Sequence, residues 1–382
     1  MSMLDYGVKI TPRVYDQDNN LIKEYSTQSN MITNAGMGML MTLPLASCMN
    51  VAVVGTGVSP THRKYTGVVH KVGRVITTND AFFITDDATY KRGLQLSDGT
   101  SFTILSVNSN TECMVKEDTL TEATLTGCCV WEFEQQLLDT PIKSSTLIST
   151  VQPTFNGTTC SEVTLNSRDY LKIDITRTFQ FDFFSACTLT EAGWGNKIED
   201  NGSVFLFGRI LLDEAIPLVA GHRFLITVTM SRLFDITDVS MDVLFGTVGT
   251  WNVTSFLANP RGFTKILGDG TVDSGSGVIP FLEPSATAIL MSFLNESDQV
   301  LATFNSDTSF LDGNKYFRSW SKYAQATDFT TPIKKLAYGF IGDDKIITFD
   351  YDVAQTAVID EVIRLKFIVK WGRTLPDYAS IS

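Results

Sequence analysis

The sequence predicts a mainly β protein: a multi-domain antiparallel β-sandwich with one short helix near the N-terminus. Three observations predict it. The run beginning at Leu171 (LKIDITRTFQFDFF) puts Leu171, Ile173, Ile175, Arg177, Phe179, Phe181 and Phe183 on one face. Lys172, Asp174, Thr176, Thr178, Gln180 and Asp182 fall on the other, which is the period-two pattern of a half-buried strand. The chain carries 25 Phe among abundant Thr, Ser and Asn, a composition that favours pleated surfaces over helices. Finally, Pro and Gly punctuate short apolar runs, with neither a fixed repeat nor a heptad.

The elements follow in order. Tyr6 to Tyr15 and Leu21 to Tyr25 read as two strands around the turn residues Asp16 to Asn20. Asn34 to Leu43 reads as the short helix, capped by Thr33 or Asn34 and stopped at Pro44. Val51 to Gly57 reads as a buried strand that breaks at glycines, which a turn needing positive φ would explain. From about Thr66 to Glu134 comes a separate alternating block; within it, Leu94 to Val115 reads strand, Asp98-Gly99 turn, strand, Asn-rich turn, strand. Then come LKIDITRTFQFDFF, VFLFGRILL and RFLITVTMSRLF, with TLTEAGW and IPLVAGH as the turns between them. Beyond Asp235 a loop-like stretch (267–277) precedes further strands, with Asp343-Asp344 as a hairpin turn. The domains expected are a discontinuous sandwich core (1–65 plus 136–234), a small inserted β domain (66–135) and a C-terminal β domain (235–382).

Bulk properties narrow the function. At 382 residues the chain has room for two or three domains. Charged residues make up only 19%, which favours extensive buried surface, including surface between subunits. A net charge of −12 with no basic run argues against binding a nucleic-acid backbone. The uncharged stretch from Ile32 to Thr61 is interrupted by Pro44, Asn50 and several Gly and Thr, so no membrane span is expected. The N-terminus has no apolar core of signal-peptide length, so synthesis in a cytoplasm is expected.

No motif nominates catalysis. The six cysteines form no CxxC pair and read as small buried apolar residues in a reducing compartment. His62, His70 and His222 have no ligand-spaced neighbours. There is no G-x-S-x-G elbow, no Walker sequence and no EF-hand spacing. Thus no catalytic residue, cofactor or metal is expected. Four Asn-x-Ser/Thr sequons, at Asn156, Asn201, Asn252 and Asn295, read as turns. Trp194, Trp251, Trp320 and Trp371 read first as packing residues and second as sugar platforms. The residues singled out are structural: Arg177, Glu191, Gly193 and Arg209. Both arginines fall in apolar strands and need a partner, and Glu191 is expected to pair with one of them and fix the turn in which it lies.

Several of these residues occur in an ordered pattern. It runs Asn30-Met-Ile-Thr-Asn34-Ala-Gly36, Val54-Gly-Thr-Gly57, Arg177-Thr-Phe-Gln-Phe181 and Thr190-Glu-Ala-Gly193-Trp194. It continues with Leu206-Phe-Gly-Arg209, Ile216-Pro-Leu218 and Gly221-His-Arg-Phe-Leu-Ile-Thr-Val-Thr229. This pattern, over residues 30 to 234 without the insert, resembles structural proteins of tailed bacteriophages, in tail, fibre and baseplate-associated components. The resemblance implies a non-enzymatic virion part in the tail, neck or baseplate. It also implies other phage structural proteins as partners, a homo-oligomer or symmetric ring, and synthesis in the host cytoplasm. The alternative is a tail-fibre adhesin that binds a host-surface carbohydrate through Trp and Tyr of the 235–382 half. A glycan depolymerase comes third, because it needs paired carboxylates that nothing here nominates.

Overall fold

In a computed structural model of the chain the described residues are 4–30, 32–43, 48–117, 122–134, 137–151, 160–165, 168–197, 204–235, 243–245, 253–258, 290–306, 308–312, 317–325, 331–339, 345–355, 362–373 and 375. The protein is mainly β, with several antiparallel sheets. The chain begins with β1 (Leu4–Tyr15), β2 (Leu21–Glu24), β3 (Gln28–Asn30), α1 (Asn34–Thr42) and β4 (Val51–Gly55). The inserted block supplies β5 (His62–Val72), β6 (Val75–Thr78), α2 (Thr85–Thr89), β7 (Gly93–Leu96), β8 (Ser101–Ser109), β9 (Glu112–Val115) and β10 (Ala123–Trp131). Next come β11 (Pro141–Ser144), β12 (Thr146–Val151), β13 (Cys160–Leu165), β14 (Arg168–Asp182), β15 (Cys187–Lys197), β16 (Val204–Leu218) and β17 (Arg223–Asp235). The last described strands are β18 (Val243–Phe245), β19 (Val253–Ala258), β20 (Leu290–Leu294), β21 (Val300–Asn305), β22 (Thr308–Asp312), β23 (Phe317–Gln325), β24 (Ile333–Gly339), β25 (Lys345–Gln355) and β26 (Val362–Arg373).

Two sheets make the sandwich. In one, β17 runs between β14 and β1, pairing along nearly its whole length with each. In the other, the order is β11-β4-β15-β16. Their inner faces share one core: Ile10, Ile175, Phe179, Phe181, Phe224 and Val228 on one side, Val54, Ala192, Trp194, Phe207 and Ile210 on the other. The alternation expected in β14 is seen where it is described, with Ile175, Arg177, Phe179, Phe181 and Phe183 all buried. Thr33 is the N-cap of α1, and its hydroxyl accepts the Gly36 N–H at 2.9 Å.

The inserted strands form a closed barrel in the order β10-β5-β6-β9-β8-β7. It has its own core, built on Val69, Ile76, Phe83, Leu94, Phe102, Ile104 and Val130. The strand-turn-strand reading of Leu94 to Val115 matches β7, β8 and β9, and Gly99 makes its turn at φ +85°.

Four expectations are corrected. The TLTEAGW segment is not a turn but the middle of β15, because its backbone is taken up on both sides by β4 and β16. The helix near the N-terminus is not alone: Thr85–Thr89, read as part of a strand block, is helical. There Asp87 accepts the Ile84 N–H at 3.0 Å, and its carboxylate is held by arginines. The sheets are antiparallel except where β1 meets β26, a parallel pair from Leu4↔Trp371 to Tyr6↔Arg373. That pairing carries the first sheet across the boundary suggested at residue 235, and Met291, Phe293, Trp320 and Trp371 belong to the sandwich core. Finally, Gly55 and Gly57 do not have positive φ; they are needed for a close approach described below.

Met31, Pro44, the 267–277 loop, Asp343-Asp344, Trp251 and the sequons at Asn156, Asn201 and Asn252 lie outside the described residues. Asn295 does make a turn, its side chain accepting the N–H groups of Ser297 and Gln299 at 3.0 Å each.

Candidate functional site

The barrel leaves the sandwich at the end of β4 and returns at the start of β11. Two connections therefore cross the neck, with described residues 56–61 going out and 132–134 and 137–140 coming back. Glu191 of β15 sits beneath both. One of its oxygens accepts the backbone N–H of Gly57 at 3.0 Å and of Thr140 at 2.9 Å. The other accepts the Asp139 N–H at 3.2 Å and, from Arg209 of β16, Nη2 at 2.8 Å and Nε at 3.1 Å.

Arg209 reaches the same two connections. Its Nη1 donates to the Ser59 carbonyl at 2.9 Å, and its Nη2 also meets Asp139 Oδ2 at 3.1 Å. The Ser59 N–H closes the loop by donating to the same Asp139 oxygen at 2.8 Å. Thr190 adds a bond from its hydroxyl to the Gly57 carbonyl at 2.7 Å. The side chain of Glu191 is wholly buried and that of Arg209 is 1% exposed, so the pair lies in low dielectric, where each hydrogen bond is strong and each missing one costly.

The glycines make room for this carboxylate. A Cβ on Gly57 would lie 2.4 Å from Glu191 Oε1, and one on Gly55 would lie 2.5 Å from the same atom. Gly193 lies two residues beyond Glu191 in β15, where a Cβ would meet Leu206 Cδ2 at 2.6 Å. The expected pairing of Glu191 with an arginine is thus made to Arg209. Arg177 goes elsewhere: its Nη1 donates to the Met49 carbonyl at 2.6 Å and to Asn50 Oδ1 at 3.0 Å, anchoring the residues that lead into β4. Asp139 escaped the sequence reading, because an isolated Asp beside a Thr-Pro pair looks like any surface turn.

A second buried charge lies in the barrel and was also missed. Asp87 is fully buried, bonded to Arg63 and, at 3.0 Å, to Arg92 Nη1. Arg92 continues to Glu132 Oε2 at 3.0 Å, joining α2 to the returning connection. Beside it, burial pushes the Glu134 carboxyl above the usual carboxylate range, against the pull of Arg92 and Arg373.

Chemically these groups are committed. The Glu191 oxygens face five N–H donors, which leaves no lone pair for proton transfer. Cys113 and Cys128 are free thiols inside the barrel and Cys129 is one on the outer face of β10, against Trp131; burial pushes all three up, Cys129 to about 12, so they stay protonated at neutral pH. Cys48 is a buried free thiol and Cys187 a half-buried one. His62 packs against Trp131, His70 bonds Thr124, and His222 accepts the Val219 N–H. Among the described residues no group of three or more His, Cys, Asp or Glu is arranged to hold a metal ion, and no helix is long and apolar enough to cross a membrane. Trp194, Trp320 and Trp371 are core residues. The arrangement can hold a barrel in one orientation on a sandwich. Comparison of the chain with protein-family models, curated proteins and solved structures finds no match.

Proposed function

We propose that this chain is a structural component of a tailed-phage virion, in the tail, neck or baseplate region, that assembles through subunit contacts and carries its barrel as a rigid arm. One observation carries the reading. Part of the phage-like pattern (Asn30, Ile32, Thr33, Gly36, Gly57, Glu191 and Leu206 to Arg209) comes together in space as one seam. The Asn30 amide donates to the Arg209 carbonyl, and the Thr33 hydroxyl donates to the Leu206 carbonyl at 2.7 Å. Ile32 bridges Gly208, and a Cβ on Gly36 would lie 2.3 Å from the Phe207 carbonyl oxygen. Gly57, Glu191 and Arg209 complete the seam at the neck. A pattern spent on fixing one element against another suits an assembly part, whose geometry is its function.

Outer strands support the subunit contacts. β12 ends its sheet path and β11 ends the other, and Ile142, Leu147 and Ile148 on them are exposed. Phe184, in the β14–β15 turn, is 85% exposed. Among the described residues no strand pairs beyond β12 or β11, and such edges with apolar side chains invite pairing with another chain.

The test has two arms. Light scattering of the purified chain should give a closed oligomer, and mass spectrometry of purified phage particles should find the chain in stoichiometric amount. A strictly monomeric chain that is absent from particles would end this reading.

A further inference from the structure

Next to Arg92 in sequence, Tyr90, Lys91 and Gly93 line a cleft of about 830 Å³ that the barrel shares with the start of α1 and the end of β26. That size suits a small ligand of two or three rings. We propose that this cleft binds a short acidic saccharide, its ring stacked on Tyr90 and its anionic group held by Lys91 and Lys116.

Tyr90 is 51% exposed, yet its ring is steadied by the Arg92 guanidinium, 5.5 Å from the ring centroid. A fixed, open aromatic face is the usual platform for the C–H face of a sugar, and little entropy is lost when it is covered. Lys91 follows in the left-handed region at φ +51°, a conformation uncommon for a lysine, and this sets it on the rim beside Tyr90. Lys91 and Lys116 both line the cleft, and among the described residues neither ammonium has an ion pair.

Glu117 is the acid in the lining, and its oxygens are engaged by the Thr103 N–H at 2.7 Å and hydroxyl at 3.1 Å. The balance of charge is therefore positive on a chain of net charge −12, which selects an anion. The floor is preformed. Phe133 lies against Gly93, where a Cβ would come within 2.3 Å of its ring, and the Arg373 guanidinium stacks 4.0 Å from the same ring centroid. Arg373 is held in turn by the Ile32 carbonyl at 2.7 Å and by Asn34 Oδ1 at 2.8 Å. Asn34 and Ser101 add polar groups of the kind that sugar hydroxyls use. An acidic peptide fits less well, since the barrel is closed and offers no free strand edge for main-chain pairing.

The site stands apart from the assembly reading, because a chain absent from any particle can still bind sugar. Titration calorimetry on the intact protein would use 3′-sialyllactose, trigalacturonate and a heparin-derived disaccharide, with lactose and maltotriose as neutral controls. At least one acidic saccharide should bind roughly tenfold or more tightly than the neutral ones and weaken with added salt. Tyr90→Ala and the double variant Lys91→Ala/Lys116→Ala should each weaken it by roughly tenfold. All three side chains are exposed, so the melting temperature should not move, and either variant alone suffices if the other misfolds. The proposal falls if no acidic saccharide outbinds the neutral ones, if binding survives both variants, or if only an oligoglutamate peptide binds.

Discussion

Glu191 Oε2 meets Arg209 Nη2 at 2.8 Å, with neither side chain open to solvent. The two residues lie on adjacent strands, but the atoms they hold belong to connections just over eighty positions apart in sequence, at Gly57 and at Asp139-Thr140. Arg209→Met should therefore strand a buried carboxylate and cost about 3–5 kcal/mol. The double variant Glu191→Leu/Arg209→Met should cost less than the two singles added together. Urea unfolding of the four proteins checks this, and strict additivity would contradict the pairing.

Gly57→Ala should loosen the neck without removing either charge. Its methyl would overlap Glu191 Oε1 and the Asp139 Cβ, at 2.4 and 2.5 Å. A loss of about 1–3 kcal/mol is expected, with faster proteolytic cutting in residues 56–61 and 132–140. Unchanged stability and an unchanged digestion pattern would contradict the crowding.

Two glycines in α1 should respond in opposite directions. Gly36→Ala would push a methyl into the Phe207 carbonyl at 2.3 Å and should destabilise by about 1–3 kcal/mol. Gly38→Ala has only Met41 Cε within reach, at 3.8 Å, so it should stabilise by about 0.5–1 kcal/mol through helix propensity. Thermal melts of the two single variants separate the effects by sign.

Glu134 should make stability fall as pH rises. Burial raises its folded pKa above the ordinary value of 4.5, so the folded state binds the proton more tightly than the unfolded state. The contribution is whole below pH 4.5 and is lost as pH rises through the folded value. Glu134→Gln should remove that decline, and the difference in melting temperature from wild type should grow from pH 4 to pH 7. A difference that stays constant across this range would mean that Glu134 titrates alike in both states.

Legibility in the sequence followed the range of each interaction. The alternation of β14, the Thr33 cap, the turn at Asp98-Gly99 and the need of Arg209 for a partner were all visible, because each depends on neighbours a few positions away or on a single burial rule. The TLTEAGW segment misled because glycine, alanine and glutamate have low strand propensity, and pairing on both sides overrode it. Asp139 and Asp87 gave no local signal, since an isolated carboxylate looks the same on a surface as in a buried ion pair.

The sequence by itself determined that this is a mainly β chain with an inserted β block and a buried charge needing compensation, because period, turn chemistry and desolvation act locally. Only the tertiary structure decided that the block closes into a barrel, that Glu191 chooses Arg209 over Arg177, and that Gly55 and Gly57 serve contact rather than backbone conformation. Those outcomes depend on which strands pair across long separations, and pairing energy is shared among residues that no short window contains.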